Sequence, residues 1–296
     1  MPLSLDFAFE GFRIIREKPK LVLFWGIVLL IGGGLAQLLF VAIAGPAFES
    51  LANLAPSADP TAQAPLFGKV LAAYAVMLPV LIVTQAISAC AVFRATWGET
   101  NDGFGYVRFG ADEWRQIAVS ILYILIYLGM GFVMSLIVAV IAGAVGDKAG
   151  VIEVPVLAFG FTGIIMVMLR LSLCNVQSYD QKRINMLGSW KLTRGQGWAL
   201  LGGYLVSAIM AIFVAVLCGA IYGAVTVGIS GGDVATLNTW LMQPDMTSLQ
   251  AYLKPLMIGW LVYSNLLMSP LIVALTAGAQ AAAYRTLAGH MPDLGI

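Results

Sequence analysis

The chain has 296 residues, of which 60% are hydrophobic and only 10% charged, and its mean hydropathy is +0.91. A soluble domain carries roughly a quarter charged residues because water must meet a polar surface, so this composition excludes an ordinary soluble fold and makes lipid the solvent. The formal net charge of +1 excludes the strongly basic face of a nucleic-acid binder, and no nucleic-acid partner is expected.

From the N-terminus, Ser4 is placed to cap a short amphipathic helix. In it Leu5, Phe9 and Phe12 share one face, with Asp6, Glu10, Arg13 and Glu17 on others. Such a segment lies along lipid headgroups or caps a bundle from the cytoplasm. Six apolar segments follow, at 21–44, 70–93, 117–145, 151–169, 199–227 and 255–284, each near or above the roughly 20 residues of a helical crossing. None alternates as a barrel strand would. Ala42-Ile43-Ala44 has the form of a signal-peptidase site, but the apolar run before it exceeds the roughly 7–15 residues of a signal peptide, so the first segment is expected to stay. The expected fold class is all-α: a polytopic membrane helical bundle of six transmembrane helices in a single integral membrane domain, 1–296.

Orientation follows from the basic residues. Arg13, Arg16, Lys18, Lys20, Arg94, Arg108, Arg115, Lys182, Arg183, Lys191, Arg194 and Arg285 fall on one side, twelve in all, against Lys69, Lys148 and Lys254 on the other. The expectation is a bacterial inner-membrane protein with both termini in the cytoplasm.

The second, fourth and sixth segments end alike, in Phe93-Arg94, Leu169-Arg170 and Tyr284-Arg285. From Arg94 to Trp114-Arg115 and from Arg170 to Trp190-Lys191 the spacing to the tryptophan is the same, and Phe12-Arg13-Ile14-Ile15-Arg16 matches Trp190-Lys191-Leu192-Thr193-Arg194. We read three units, roughly 4–95, 103–171 and 181–286, each a cytoplasmic interfacial helix followed by a transmembrane hairpin. On this reading Arg94, Arg170, Lys191, Arg194 and Arg285 are candidate contacts for lipid headgroups or another anion, with Phe12, Trp114, Trp190 and Trp198 as interfacial aromatics. Arg170 either snorkels to the headgroups or clamps an anionic substrate. The acids Glu99, Asp102, Asp112 and Glu113, interleaved with bases, read as a solvated, charge-balanced face.

Two rows of small residues recur every four positions: Gly203, Ser207, Ala211, Ala215, Gly219 and Gly223 in the fifth segment, and Gly131, Ser135, Ala139 and Gly143 in the third. They are expected to let helices approach closely within the chain, or to form the seam of a homo-oligomer.

Reactive chemistry is sparse. The neutral polar residues singled out inside the spans are Gln37, Thr84, Gln85, Ser88, Asn265 and Gln280. Breaks at Pro79 and Pro270, with Gln85 and Asn265 as contacts, would suit a secondary transporter or a lipid-handling carrier, the alternative reading. His290 reads as a tail residue, and Cys90, Cys174 and Cys218 lack a metal or redox spacing. Without a hydrolase, zinc or nucleotide motif, no catalytic residue, cofactor or metal is expected.

The segments RLSL and SWKLTRG followed by Trp198, within 170–198, resemble the membrane domain attached to some bacterial glycerophosphoryl diester phosphodiesterases and to related multi-pass inner-membrane proteins. FRIIREKPKLVLFWG and FGYVRFGADEWRQ are similar to the opening and the middle loop of the same group. The resemblance implies an inner-membrane helical bundle. Phosphodiesterase activity resides in a separate soluble barrel, so no catalytic residue carries over. The expectation is a non-enzymatic protein that organises anionic membrane lipids or envelope protein partners.

Overall fold

The computed structural model describes residues 3–53, 60–100, 103–145, 149–235 and 244–289. Pro56, Asn101, Asp102, Lys148, Gln243 and His290 lie outside the described residues. The helices are α1 Glu10–Glu17, α2 Lys20–Ala52, α3 Pro60–Trp97, α4 Ala111–Val145, α5 Ala149–Leu171 and α6 Cys174–Asp180. They continue with α7 Met186–Leu192, α8 Gly197–Ile229, α9 Leu249–Tyr252, α10 Pro255–Tyr263 and α11 Ser269–Leu287. No strand occurs among the described residues. Among the described residues six helices are long and apolar enough to cross a membrane, the last formed by α10 and α11 joined through a π turn at Ser264–Met268.

The N-terminus differs in detail from expectation. A 3-10 turn, Leu5–Phe9, precedes α1, and the Ser4 hydroxyl donates to Asp6 at 2.9 Å rather than capping a helix. Phe7, Ala8, Gly11 and Ile14 are buried, whereas Leu5, Phe9 and Phe12 stay exposed. The apolar residues therefore divide into one face for the protein and another left open.

Packing groups the chain into two compact units, whose limits differ from the three sequence units. One comprises Gly11–Arg108 and Ser207–Ala277. Here α2 packs along α3 and against the π turn. A Cβ at Gly32 would overlap the Thr84 side chain, one at Gly33 the Asn265 amide, and one at Gly26 the Leu266 carbonyl oxygen. That carbonyl has a local cause: four residues on stands Pro270, which has no N–H to offer it. The π turn compensates in part, with Ser269 N–H donating to Ser264 O. Glycine at 26 then lets α2 close onto the exposed oxygen. No break occurs at Pro270, since the helix runs on through a π turn one turn earlier, and α3 likewise runs unbroken through Pro79. At the far end of this unit Val41, Tyr252, Met257 and Leu261 form a core, with the Tyr222 hydroxyl donating to Leu256 O at 2.6 Å.

The other unit comprises Met1–Glu10, Phe109–Val206 and Gly278–Ile296. Phe7 fills the space that a Cβ at Gly203 would need and meets Tyr204 edge-on, centroids 5.9 Å apart. Between α4 and α5 the contact is Met134 laid over Gly160. No residue in the most apolar window of the α4 span is fully buried, so much of this helix's apolar surface faces outward.

The small-residue rows behave as helix geometry dictates rather than as continuous seams. An interval of four advances about 40° per step, which puts Gly203 and Gly223 roughly 200° apart. Gly203 is accordingly enclosed, Ser207 donates to Leu275 O at 3.3 Å, and Ala211 is buried. Gly219 has nothing within 4 Å of its Cβ position, and Ala215, Gly219 and Gly223 border an open groove of about 930 Å³. In α4, Gly131 and Gly143 likewise meet nothing, and Ser135 and Ala139 are exposed. That row lies roughly opposite the face that turns Met134 and Ile137 toward α5.

Candidate functional site

The best-defined polar construction lies where α5 ends. A helix terminus leaves its last carbonyls without intrahelical partners, and at Ser172–Leu173, between α5 and α6, hydroxyls take their place. Ser172 Oγ donates to Leu169 O at 2.8 Å. The Tyr123 hydroxyl of α4 donates to Leu171 O. Arg170 O accepts from Ser189 Oγ at 2.8 Å, and the Thr193 hydroxyl, whose single proton has its shorter bond to Ser189 O at 2.9 Å, lies 3.2 Å from the same Arg170 carbonyl. The Arg170 side chain returns the bond, with Nη1 donating to Thr193 O at 2.5 Å and the guanidinium 6.0 Å from the Trp190 ring centre. Tyr204 adds a donor to Ser172 Oγ at 3.0 Å. α7 is thereby fastened to the end of α5 by both its hydroxyls and its backbone.

Docking α7 through Ser189 and Thr193, both fully buried, fixes what it presents outward. Leu187 is 77% exposed and Trp198 86%, with Trp190, Lys191 and Arg194 also exposed. Helix geometry puts Leu187, Trp190, Lys191 and Arg194 on the side of α7 opposite Ser189, and Trp198 is exposed on the first turn of α8. Arg170 belongs to the fastening rather than to that side. Trp114 is exposed with Phe109 beside it, centroids 5.4 Å apart, Phe12 is exposed, and Arg285 is half-buried.

The acids between the bases are not a uniform solvated face. Glu113 is 0% exposed, its Oε2 accepting from Gly110 N–H at 2.8 Å. Asp112 joins two bases, pairing with Arg115 on its own helix and with Lys182 at 3.0 Å, while Lys182 also lies 4.2 Å from the Tyr179 ring centre. Gln116 donates to Asn175 O at 2.6 Å, and Tyr284 to Asp180 at 2.8 Å. Lys182 and Arg115 are therefore partly neutralised, whereas Arg183, Lys191 and Arg194 are exposed cations of this unit.

Arg94 corrects the analogy with Arg170. It is 1% exposed and donates through Nη1 to Tyr106 O at 3.1 Å, so it is enclosed rather than open to headgroups. The cause is the loop Gly103–Tyr106, where Phe104, Gly105 and Tyr106 all have positive φ, 54°, 65° and 64°. Two non-glycine residues in that region are strained, and neighbours hold them there. Trp25 Nε1 donates to Gly105 O at 2.8 Å, and Lys18 Nζ to the Tyr106 hydroxyl at 2.6 Å. A Cβ at Gly105 would run into Phe24.

The residues singled out for transport do not converge: Asn265 is buried beside Gly33 with its amide donating to Leu261 O at 2.9 Å, and Gln85 faces outward from α3. Cys90, Cys174 and Cys218 are free and buried. Among the described residues no three His, Cys, Asp or Glu side chains gather as a metal site. Sequence reading missed the hydroxyl fastening, although Ser189 and Thr193, four apart on either side of Trp190, mark one buried helix face. It also missed the burial of Arg94, for which no local signal exists. Comparison of the chain with protein-family models, curated proteins and solved structures finds no match.

Proposed function

We propose that the protein is a non-enzymatic, multi-pass protein of a bacterial inner membrane that organises anionic lipid at its cytoplasmic face. The supporting observation is the docking of α7 through Ser189, with Leu187, Trp190, Lys191 and Arg194 exposed on the opposite side and Trp198 exposed at the start of α8. Aromatic rings partition to the headgroup level, and each base near an anionic surface contributes about 1 kcal/mol. The twelve-to-three distribution of bases supports termini on the cytoplasmic side. The resemblance to the membrane domain of glycerophosphoryl diester phosphodiesterases agrees with a role beside lipid, and protein partners or a homo-oligomer are compatible with it.

The test is lipid retention. Lys191→Gln combined with Arg194→Gln should weaken binding of anionic vesicles by about 2 kcal/mol, and added salt should reproduce the loss in the unmodified protein. Equal binding by the two proteins at low salt refutes the proposal.

A further inference from the structure

Beside the contact of Met134 with Gly160, a groove of about 770 Å³ opens between α4 and α5. Gly129, Phe159, Gly163 and Val167 also border it, and a Cβ at Gly129 or Gly163 would meet nothing within 4 Å. Two glycines on facing helices therefore deepen it. It extends from Ile126 to Ile137 along α4, about 16 Å of helix axis.

In lipid such a groove gains nothing from the hydrophobic effect by closing, and what matters is dispersion contact along its walls. Water has no polar partner there to hold it. A flexible hydrocarbon chain fits both the length and the chemistry. The basic surface supplies the second half of the argument. Val167, at one end of the groove, stands one helical turn before Arg170, which fastens α7 with its outward Lys191 and Arg194. We infer that the α4–α5 groove holds one acyl chain of an anionic glycerophospholipid whose phosphate meets the basic face of α7. The inference rests on the lipid-organising reading of α7 and adds to it a defined seat for a single molecule.

The full chain in mild detergent, offered an equal mixture of phosphatidylglycerol and phosphatidylcholine, provides the test by native mass spectrometry. The unmodified protein should keep one phospholipid under activation that strips the remainder, and that lipid should be phosphatidylglycerol. Gly129→Leu with Gly163→Leu fills the groove from both helices and should lower its occupancy about tenfold, with no fall in melting temperature. Lys191→Gln with Arg194→Gln should retain a phospholipid but lose the preference for phosphatidylglycerol. Undiminished occupancy after filling overturns the groove assignment and leaves the α7 reading standing. An undiminished preference after neutralisation overturns the α7 reading itself. Should the filled variant fail to fold, phosphatidylglycerol with a photoactivatable diazirine in its chain takes over, used on the unmodified protein. Crosslinks within 126–137 or 155–167 support the assignment, and crosslinks confined elsewhere overturn it. A dimer lost on filling, in place of a lipid, gives the groove to a second copy and also overturns it.

Discussion

Removing the hydroxyls that close the end of α5 tests the site most directly. Arg170 O accepts from Ser189 at 2.8 Å, and the Thr193 hydroxyl, bonded to Ser189 O at 2.9 Å, is near enough at 3.2 Å to turn to it. Ser189→Ala or Thr193→Val alone leaves the carbonyl one donor, so each should cost about 0.5–1.5 kcal/mol, the net worth of a hydrogen bond. The double variant leaves the carbonyl without either donor, and an unsatisfied buried acceptor costs about 1–3 kcal/mol beyond the lost bond. The pair should therefore be worse than the sum of its parts by about 1 kcal/mol, a coupling typical of one network. Thermal unfolding in a single detergent reads this as a few degrees of excess destabilisation, at roughly 2–4 °C per kcal/mol for a chain of this size. Trypsin supplies a local readout, because release of α7 exposes the chain at Lys191 and Arg194. A double variant whose melting temperature falls by no more than the sum of the singles, with unchanged cleavage, refutes the hydroxyl closure. Arg170→Lys keeps one donor toward Thr193 O and should lie within about 1 kcal/mol of the parent, and a loss equal to that of Arg170→Ala would show that the planar fork itself is needed.

Gly26→Ala should destabilise by about 1–3 kcal/mol because the new Cβ meets the backbone of Leu266, whereas Gly219→Ala, with open space around it, should be neutral or mildly stabilising; equal melting temperatures would refute the contrast. Single cysteines at Pro56, Lys148 or Gln243 should react with an impermeant maleimide in intact cells, and those at Asn101 or Lys182 should not; labelling at Asn101 refutes the orientation. Outside the spans, the Thr247 hydroxyl and then its N–H, donating to Asp245 at 2.6 and 3.1 Å, hold that carboxyl below its ordinary 3.8, with a weaker effect from Lys254. Its stabilisation of the turn is present above the ordinary value and is lost as pH falls through the lowered one. Thr247→Val should move the Asp245 titration, followed by carbon NMR, up toward 3.8, and an unmoved titration refutes the assignment.

The spans were legible because a bilayer imposes a length: the run beginning at Leu21 becomes α2 from Lys20, and the run at 199–227 lies within α8. Which glycine touches which helix was not. Gly26 and Gly219 look alike in sequence, and only the close approach of the Leu266 backbone to Gly26 distinguishes them. The repeat suggested that Arg94 and Arg170 share a role, because both follow a hydrophobic residue and precede a tryptophan by twenty positions. The loop at Gly103–Tyr106 gave Arg94 a carbonyl to face inward, and nothing near Arg94 encodes that loop. Asp112 was read as one charge among many because its partner Lys182 is 70 residues away.

The loop at Gly103–Tyr106 also sets an order of events. A nascent chain that has reached Trp97 carries all of α1 to α3, yet it lacks the carbonyls of Gly105 and Tyr106 on which the Trp25 indole and the Arg94 guanidinium close. Until those residues leave the ribosome, that end of α3 lacks this acceptor for its cation. Insertion of the first two long helices and the sealing of their shared end are therefore separate steps in time, and synthesis of the loop is the event that joins them.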